Sequence, residues 1–526
     1  MSVFRACKNF IGLEEAVNAM AQEESDQEYD VVILPPDPAI VTDEEEGDDA
    51  LQLSDLPREV SGILEVMRRR HDSTEWEDSD DESLANKRSR QDSRDLVPKW
   101  RQFMPSYSTS YQLPDNTCSS RKSQVINQLQ GFSPVEIFEK IFDDEIYAMI
   151  IRNTLLYAGQ KNRHDIEIDQ DDMRRFLGVL ILSGYHKLPR ERQYWSYDED
   201  LGISLVTNSI SRNRFLDIKR NLHLVDNSLA SASQDKMFKV RPLCDMLMQK
   251  FSQFGVFHED ISIDESMIKY YGHHSSKQFI RGKPIRFCYK NWVAASSDGY
   301  CYSFDLYCGK TAESSKAPLG TRVVKSLLNK MPTIPEEHTV YFDNFFTSCD
   351  LLRDLKESGY KATGTIRDNR TKKCPLRPVN IMKKSARAEF DYKFDINNEL
   401  LLVRWKDNSV CTIGTNFDTI ELIGKVNRWC SQNRQKVDVS IPRLFLNYNK
   451  GMGSVDEMDG SISLYRVSIR GKKWWWAIFT YLLDMSISNA WRLHTLVGSE
   501  CLDQLAFRRH IARNYLQLRN CKKSIP

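Results

Sequence analysis

The sequence predicts a mixed α/β protein in which helical regions flank a strand-rich centre, preceded by an acidic leader. Apolar residues recur at helical spacing from Pro134 to about His258. After His258, short alternating runs such as residues 261–263 and 339–342 indicate strands, and each leads into an aspartate. Residues 1–100 offer little apolar surface to offset the entropy of ordering, which predicts a largely disordered leader.

The formal net charge is zero, but the charges are unevenly distributed. Residues 1–100 hold 26 acidic against 11 basic residues, a net charge of −15, so the remainder carries +15. An acidic leader on a basic body is typical of proteins that meet a polyanion. A solvated tail beside a mildly basic enzyme explains the charges equally well, and both interpretations stay open.

Cellular location is indicated by three weak signals. The 12 cysteines contain no C-x-x-C pair, which favours reduced intracellular thiols over a disulfide framework or a zinc site. Residues 1–20 lack a secretory signal, and no apolar run approaches the ~18 residues of a membrane span. The basic cluster Lys87-Arg88-Ser89-Arg90 fits nuclear import, although such clusters also arise by chance. We therefore expect a nuclear protein with no membrane partner.

The helical region begins at Ser133-Pro134-Val135-Glu136, which combines a cap, a first-turn proline and an acidic first turn. Further helices are predicted at 173–182, 212–222 and 243–251, and shorter ones in the leader at 13–20 and 60–69. Their apolar stripes are typical of a core and by themselves indicate only a helical domain.

The strand-rich centre is predicted from alternating patterns and turn residues. Strands at 285–294 and 300–307 are joined by a tight Asp298-Gly299 turn, and further strands lie at 339–342 and 362–366. A helix at 348–357 ends before Gly359. Residues 374–436 alternate strongly and predict a β-rich insertion. A helical pattern from 442 then leads to Asp456, and a long apolar helix covers about 475–493.

Three aspartates stand out by context: Asp264 and Asp343 follow predicted strands, and Asp456 lies in a helical segment. If the two strands are neighbours, their ends bring two carboxylates together, and the third completes an oxygen site for Mg²⁺ or Mn²⁺. Two such ions can activate an attacking oxygen and stabilise a leaving oxygen in phosphoryl transfer. Alternatively, strand-end aspartates are common turn formers and helix caps.

Longer motifs around these acids resemble the piggyBac-type transposases. Ile263-Asp264-Glu265-Ser266-Met267 resembles the first catalytic block of that family, and the run from Tyr341 to Ser348 resembles the second. The run from Tyr448 to Asp459 resembles the third. The segments at 278–284, 465–466, 470–474 and 489–491 also match, so the resemblance covers about 133–518 in order.

The resemblance implies a ribonuclease H-like α/β catalytic core with a β-rich insertion, flanked by a split helical dimerisation and DNA-binding domain. It implies that Asp264, Asp343 and Asp456 are both catalytic residues and metal ligands for Mg²⁺ or Mn²⁺. The implied partners are double-stranded DNA, at transposon ends and TTAA targets, and a second copy of the chain. The expected boundaries are the leader at 1–130, the first helical part at 131–258, the core at 259–372, the insertion at 373–437, the last core helix at 438–457, and the second helical part at 458–526.

Two departures from the family pattern leave an alternative open. Gly453-Ser454 stands where members usually have a Gly-Gly pair, and a serine there would cost stability if its φ were positive. Near the end there are only Cys501 and Cys521, rather than a cysteine-rich zinc-binding domain that reads transposon ends. The alternative is a domesticated DNA-binding protein, with a regulatory or repair role, that no longer transposes.

DNA contacts are predicted where basic and aromatic residues interleave, because such segments suit backbone neutralisation and base stacking. The aromatics could instead fill a core, and at least two of the tryptophans at 474–476 are expected to be buried. Arg508 and Arg509 are weaker candidates, and His273 and His274 are expected to be loop or DNA contacts rather than Mg²⁺ ligands. The predicted DNA-contact residues are Arg281, Lys283, Arg286, Arg470, Lys472 and Lys473.

Overall fold

The computed structural model describes residues 8–10, 29–34, 63–68, 97–108, 117–280, 285–309, 317–430, 434–498 and 501–518. The chain divides into a larger and a smaller compact unit. The larger unit comprises 91–268, 290–469 and 478–526, and the smaller comprises 1–90, 269–289 and 470–477. Within the described residues, no helix combines the length and apolar character that a membrane span requires.

The larger unit begins with a series of helices that bury their apolar faces. The predicted cap is confirmed: Ser133 and Glu136 form a reciprocal capping box, with Pro134 in the first turn. The predicted apolar run divides at Phe142, where one helix ends and Asp143 caps the next. These helices are α1 (Thr117–Leu129), α2 (Pro134–Ile141), α3 (Asp144–Gln160), α4 (Gln170–Tyr185), α5 (Ser204–Thr207), α6 (Arg212–Asn221) and α7 (Arg241–Ser252).

The helix near the C-terminus, Gln504–Leu516, returns to this helical layer and packs along α4. The hydroxyls of Tyr515 and Tyr147 lie 2.8 Å apart, and the Tyr515 hydroxyl donates to Glu139 at 2.9 Å. Arg508 is 2% exposed and pairs with the buried Asp484. The expectation that Arg508 contacts DNA is therefore wrong, because its guanidinium already neutralises a carboxylate in the core.

The larger unit is built on a mixed sheet whose order is β4-β11-β12-β13-β10-β9-β5-β7, with β8 also paired to β7. Strands β5, β9 and β10 are parallel neighbours, and β13 joins β10 antiparallel. The strands are β4 (Trp100–Arg101), β5 (Asp260–Lys269), β7 (Phe287–Ser296), β8 (Cys301–Leu306), β9 (Thr339–Phe342), β10 (Lys361–Thr365), β11 (Phe390–Asp395), β12 (Leu400–Lys406) and β13 (Val410–Thr415).

Two features of this sheet differ from the sequence predictions. Strand β5 continues through Asp264 to Lys269, so Asp264 lies within a strand, directly after the last residue that pairs with β9. Strands β11–β13, predicted as part of an insertion, extend the same sheet through β13. Among the described strands of the predicted insertion, β14 (Gly424–Cys430) and β15 (Gln435–Ile441) instead pair with each other in a separate two-stranded sheet.

Helices pack around this sheet and one of them carries the third aspartate. One helix was predicted to lead to Asp456, but the chain forms two, broken at Met452-Gly453. The later helices are α8 (Leu319–Asn329), α9 (Cys349–Glu357), α10 (Val379–Lys384), α11 (Arg443–Gly451), α12 (Ser454–Leu464), α13 (Trp476–Val497) and α14 (Gln504–Leu516).

The smaller unit contains a three-stranded antiparallel sheet, in the order β1 (Lys8–Phe10), β3 (Ile63–Arg68), β2 (Tyr29–Leu34). The helix predicted at 60–69 is wrong, because β3 occupies 63–68. The helix predicted at 13–20 lies outside the described residues, as does most of the leader predicted to be disordered. The two remaining segments, 269–289 and 470–477, include β6 (Gln278–Phe279), which pairs with the first residues of β7.

Candidate active site

Asp264 and Asp343 occupy equivalent places on two parallel neighbouring strands. Ile263 pairs with Phe342 in the register of β5 and β9, and each aspartate is the residue that directly follows this pair in the chain. Paired strands lie about 4.8 Å apart. Burial, and then the charge of Asp343, raise the pKa of Asp264 to about 7. The two carboxyl groups are therefore close enough to repel, and they have lost most of the water that would screen them.

The backbone after β9 holds Asp343 in a tight turn. The Phe345 N–H donates to Asp343 Oδ1 at 2.9 Å, and the Thr347 hydroxyl donates to the Asp343 carbonyl at 2.6 Å. Burial raises the pKa of the Asp343 carboxyl, while the bond from Phe345 lowers it. Asp343 thus caps a turn, which is the alternative role that the sequence left open for a strand-end aspartate.

Asp456 lies in the first turn of α12, where a glycine permits the entry of the helix. Gly453 has φ +104°, a conformation that side chains disfavour. Ser454 is not among the residues with positive φ, and its hydroxyl donates to the Gly451 carbonyl at 3.2 Å. The condition under which serine would cost stability is therefore not met, because the positive φ falls on Gly453, which the chain retains.

Three contacts fix α12 against the sheet and α13. The Ser266 hydroxyl of β5 donates to Asp459 at 2.6 Å, and Arg492 of α13 donates to Glu457 at 2.7 Å. The turn after β7 touches the helix at Gly299, where an added Cβ would lie 3.0 Å from the Met458 nitrogen. Burial raises the pKa of Asp459 to about 6. The first turn of α12, and with it Asp456, is therefore held beside β5.

The structure brings two aspartates together and places the third at their edge. The charge of Asp456 contributes to the raised pKa of Asp264, so these two carboxyls interact. Asp456 is nevertheless exposed. Among the described residues, the three aspartates do not form a set whose oxygens all lie within 4.8 Å of one another. Asp264 and Asp343 are therefore the two members of the set that could share a hard ion such as Mg²⁺, which keeps several waters and takes few protein ligands.

Sequence reasoning did not single out three further charged residues at this site. Glu265 pairs with Lys290 at 2.9 Å, and its charge raises the pKa of Asp343. Lys290 also lies over the ring of Trp292, 4.4 Å from its centre. Asp459, one helical turn beyond Asp456, is half-buried and accepts a hydrogen bond from the Ser266 hydroxyl. The spacing of Asp456 and Asp459 was visible in the sequence, but the cross-strand partner of Glu265 was not.

The predicted DNA-contact residues that the structure describes, Arg286, Arg470, Lys472 and Lys473, belong to the smaller unit. Arg281 and Lys283 lie outside the described residues, whereas Arg286, Arg470 and Lys472 are exposed. Lys473 is half-buried, with its ammonium 5.4 Å from the centre of the Trp475 ring. The basic positions of both predicted segments therefore belong to one compact body.

Aromatic contacts join the two predicted segments within that unit. His274 stacks on Trp474 with ring centres 4.0 Å apart, and Trp474 meets Tyr289 edge-on at 6.3 Å. Trp475 and Trp476 are buried, which confirms that at least two of the three tryptophans are anchors. His274 is 7% exposed, and its Nδ1 accepts from the Ser276 N–H, so it serves the local fold.

The mixed sheet with its flanking helices fits the fold of a DNA transposase. Residues 133–491 match the family model described as Transposase IS4. Together with the relatives below, this match shows that the chain belongs to the piggyBac-type transposase family.

Two human relatives align with nearly the whole chain. PiggyBac transposable element-derived protein 2 is 36% identical over 519 residues, 96% of this chain and 85% of the relative. PiggyBac transposable element-derived protein 3 is 33% identical over 528 residues, 96% of this chain and 88% of the relative. A cryo-EM structure of a piggyBac transposase synaptic complex with hairpin DNA shares the fold, with TM-score 0.61, 21% identity, and coverage of 74% of this chain and 81% of that one.

Proposed function

We propose that this protein cleaves DNA at transposon ends and transfers the cut strand to TTAA sites, using Asp264, Asp343 and Asp456 to hold Mg²⁺ or Mn²⁺. The observation that carries the proposal is the parallel register of β5 and β9, which sets Asp264 beside Asp343. The order β7-β5-β9-β10, with β5 at the centre, is compatible with the ribonuclease H-like core that the family resemblance implies.

The donor set suits a hard divalent cation. Asp264 and Asp343 are carboxylates whose pKa values burial raises, and the charge of Asp343 raises that of Asp264 further. A cation between them would remove this repulsion, so binding and ionisation favour each other. When bound, such ions activate the attacking water or 3′-hydroxyl and stabilise the leaving oxygen.

The chain's own residues then orient the reacting groups. The Phe345 N–H donates to Asp343, and the Glu265 N–H donates to Asp264 at 2.8 Å, so each bond fixes one carboxylate oxygen. Lys290, paired with Glu265, adds a fixed positive charge beside the acids. Preorganised groups of this kind stabilise developing charge without reorganising during the reaction.

The basic residues of the smaller unit would neutralise DNA phosphates. Arg286, Arg470 and Lys472 are exposed, as phosphate contacts require. Residues 101–526 carry the excess positive charge of +15. We further propose that a homodimer in the nucleus holds two DNA ends together, because a cut-and-join reaction needs both ends at once.

The test is a nicking assay on duplex DNA with candidate terminal repeats, in Mn²⁺, Mg²⁺ or chelator. Asp343→Asn should abolish nicking and leave DNA affinity within about twofold, because the change removes charge at the metal site and keeps the side-chain shape. Asp350→Asn, at an acid 46% exposed on α9, is the matched control and should nick normally. Joined products should carry TTAA at the insertion point.

One observation favours a second function, that of a DNA-binding protein which no longer cuts. Asp456 is exposed and the three carboxylates are not gathered within a single ion's reach. If wild type binds the same DNA with the affinity of Asp343→Asn and neither nicks it in Mn²⁺, the binding function stands and the cleavage proposal is refuted.

A further inference from the structure

A second cluster of metal-ligating groups lies at the opposite end of β9 from Asp343. Cys118 is in the first turn of α1, Glu337 ends the short turn Pro335–Glu337, and His338 precedes β9. One ligand atom from each of the three lies within 4.8 Å of the others. The five residues from His338 to Asp343 span roughly 16 Å of extended chain, so this cluster is distinct from the candidate active site.

Hydrogen bonding fixes His338 in the tautomer that can bind a metal ion through Nε2. His338 is fully buried, and its Nδ1 lies 3.0 Å from the His258 carbonyl oxygen. A carbonyl can only accept, so Nδ1 carries the proton and Nε2 keeps its lone pair. Nε2 is buried and has no hydrogen-bond partner. An orphaned buried nitrogen is costly, and metal-bound histidines commonly donate their other N–H to a carbonyl in this way.

One carboxylate oxygen of Glu337 has hydrogen-bond partners and the other has none. Glu337 is 4% exposed; its Oε2 pairs with Arg121 and accepts from the Cys118 thiol at 3.4 Å. Its Oε1 is buried without a hydrogen-bond partner. Arg121 is itself held by a 2.7 Å bond from its Nε to the Val256 carbonyl. It therefore orients the carboxylate as an outer-shell partner does and offsets one of the negative charges.

We propose that Cys118, Glu337 and His338 bind one Zn²⁺ ion that ties α1 to the start of β9. Sulfur, nitrogen and oxygen donors together suit Zn²⁺, which takes all three, better than Mg²⁺, which prefers oxygen. A bound ion would take the Cys118 sulfur as thiolate, with the thiol proton released to solvent. Cys118 lies more than 200 positions before Glu337 and His338 in the chain, so an ion here would join distant segments of the larger unit.

The probe is Co²⁺, which occupies zinc sites and reports its ligands by absorption. Wild-type protein stripped with chelator should gain thiolate-to-cobalt charge-transfer absorption and the intense visible bands of a tetrahedral site, and these bands should saturate at one equivalent of thiolate-bound Co²⁺. Zn²⁺ should abolish the bands and raise the melting temperature. Co²⁺ at the aspartates would have oxygen ligands alone and would lack the thiolate band.

Variants then assign the ligands. Cys118→Ser should lose the thiolate band, whereas Cys501→Ser, at an exposed cysteine, should keep it. If Cys118→Ser fails to fold by circular dichroism, Glu337→Gln serves instead and should weaken Co²⁺ binding at least tenfold. Absence of a thiolate band in wild type, or its persistence in Cys118→Ser, would overturn the zinc site and leave the three residues as a hydrogen-bonded core cluster.

Discussion

Replacing Asp264 by Asn should stabilise the metal-free protein at alkaline pH. The folded-state pKa of Asp264 is about 7 against an ordinary value of 3.8, so the folded protein binds this proton more tightly than the unfolded chain does. The contribution of Asp264 to stability is therefore largest at low pH and is lost as pH rises through about 7. Three pKa units correspond to about 4 kcal/mol, of which about 3 kcal/mol is lost between pH 5 and pH 8.

The assay is thermal unfolding in chelator, compared between wild type and Asp264→Asn across that pH range. For a body of roughly 400 residues, about 3 kcal/mol corresponds to roughly 3–4 °C in melting temperature. The melting temperature of the variant, relative to that of wild type, should therefore rise by that amount from pH 5 to pH 8. Mg²⁺ should then raise the melting temperature of wild type alone. Asp200→Asn, at an exposed acid, is the control. Parallel pH curves for the two proteins would refute the reasoning.

Three further predictions concern other parts of the molecule. Gly453→Ala should destabilise the protein by about 1–2 kcal/mol, because the φ of Gly453 is +104°. Gly460→Ala, in open space on the same helix, should instead stabilise it by up to about 1 kcal/mol. Equal shifts in melting temperature for the two variants would contradict this. Arg508→Ala should lower stability by about 3–5 kcal/mol because it leaves Asp484 buried and unpaired; a melting shift near zero would show that the pair is not buried in solution. Arg470→Ala should reduce the slope of log affinity for DNA against log salt by about 0.9, and an unchanged slope would remove Arg470 from the DNA surface.

Local structure was largely predictable because local chemistry determines it. Strand β9 was predicted with its observed bounds, since four β-branched and aromatic residues lead into a turn-forming aspartate. The capping box at Ser133 and the helix Cys349–Glu357, which ends before Gly359, follow from short-range hydrogen bonding and positive φ. The helix predicted at 60–69 failed because a short apolar run suits a strand equally well.

Contacts between segments that are distant in the chain could not be predicted from the sequence pattern. The antiparallel pairing of β13 with β10 depends on contacts between segments about 50 residues apart. The burial of Arg508 depends on Asp484, on a separate helix. The proximity of Cys118 to Glu337 and His338 arises only when α1 packs near the start of β9. The pairing of Asp264 with Asp343 was predicted on the condition that their strands are neighbours, and the register satisfies that condition.

Binding of Mn²⁺, measured by electron paramagnetic resonance, tests most directly whether the aspartates form a metal site. Wild type and Asp350→Asn should bind Mn²⁺ with equal affinity, and Mg²⁺ should displace it. Asp343→Asn, which keeps the shape but removes the charge beside Asp264, should weaken binding at least tenfold. Equal Mn²⁺ affinity in wild type and Asp343→Asn would show that the paired carboxylates do not hold the ion.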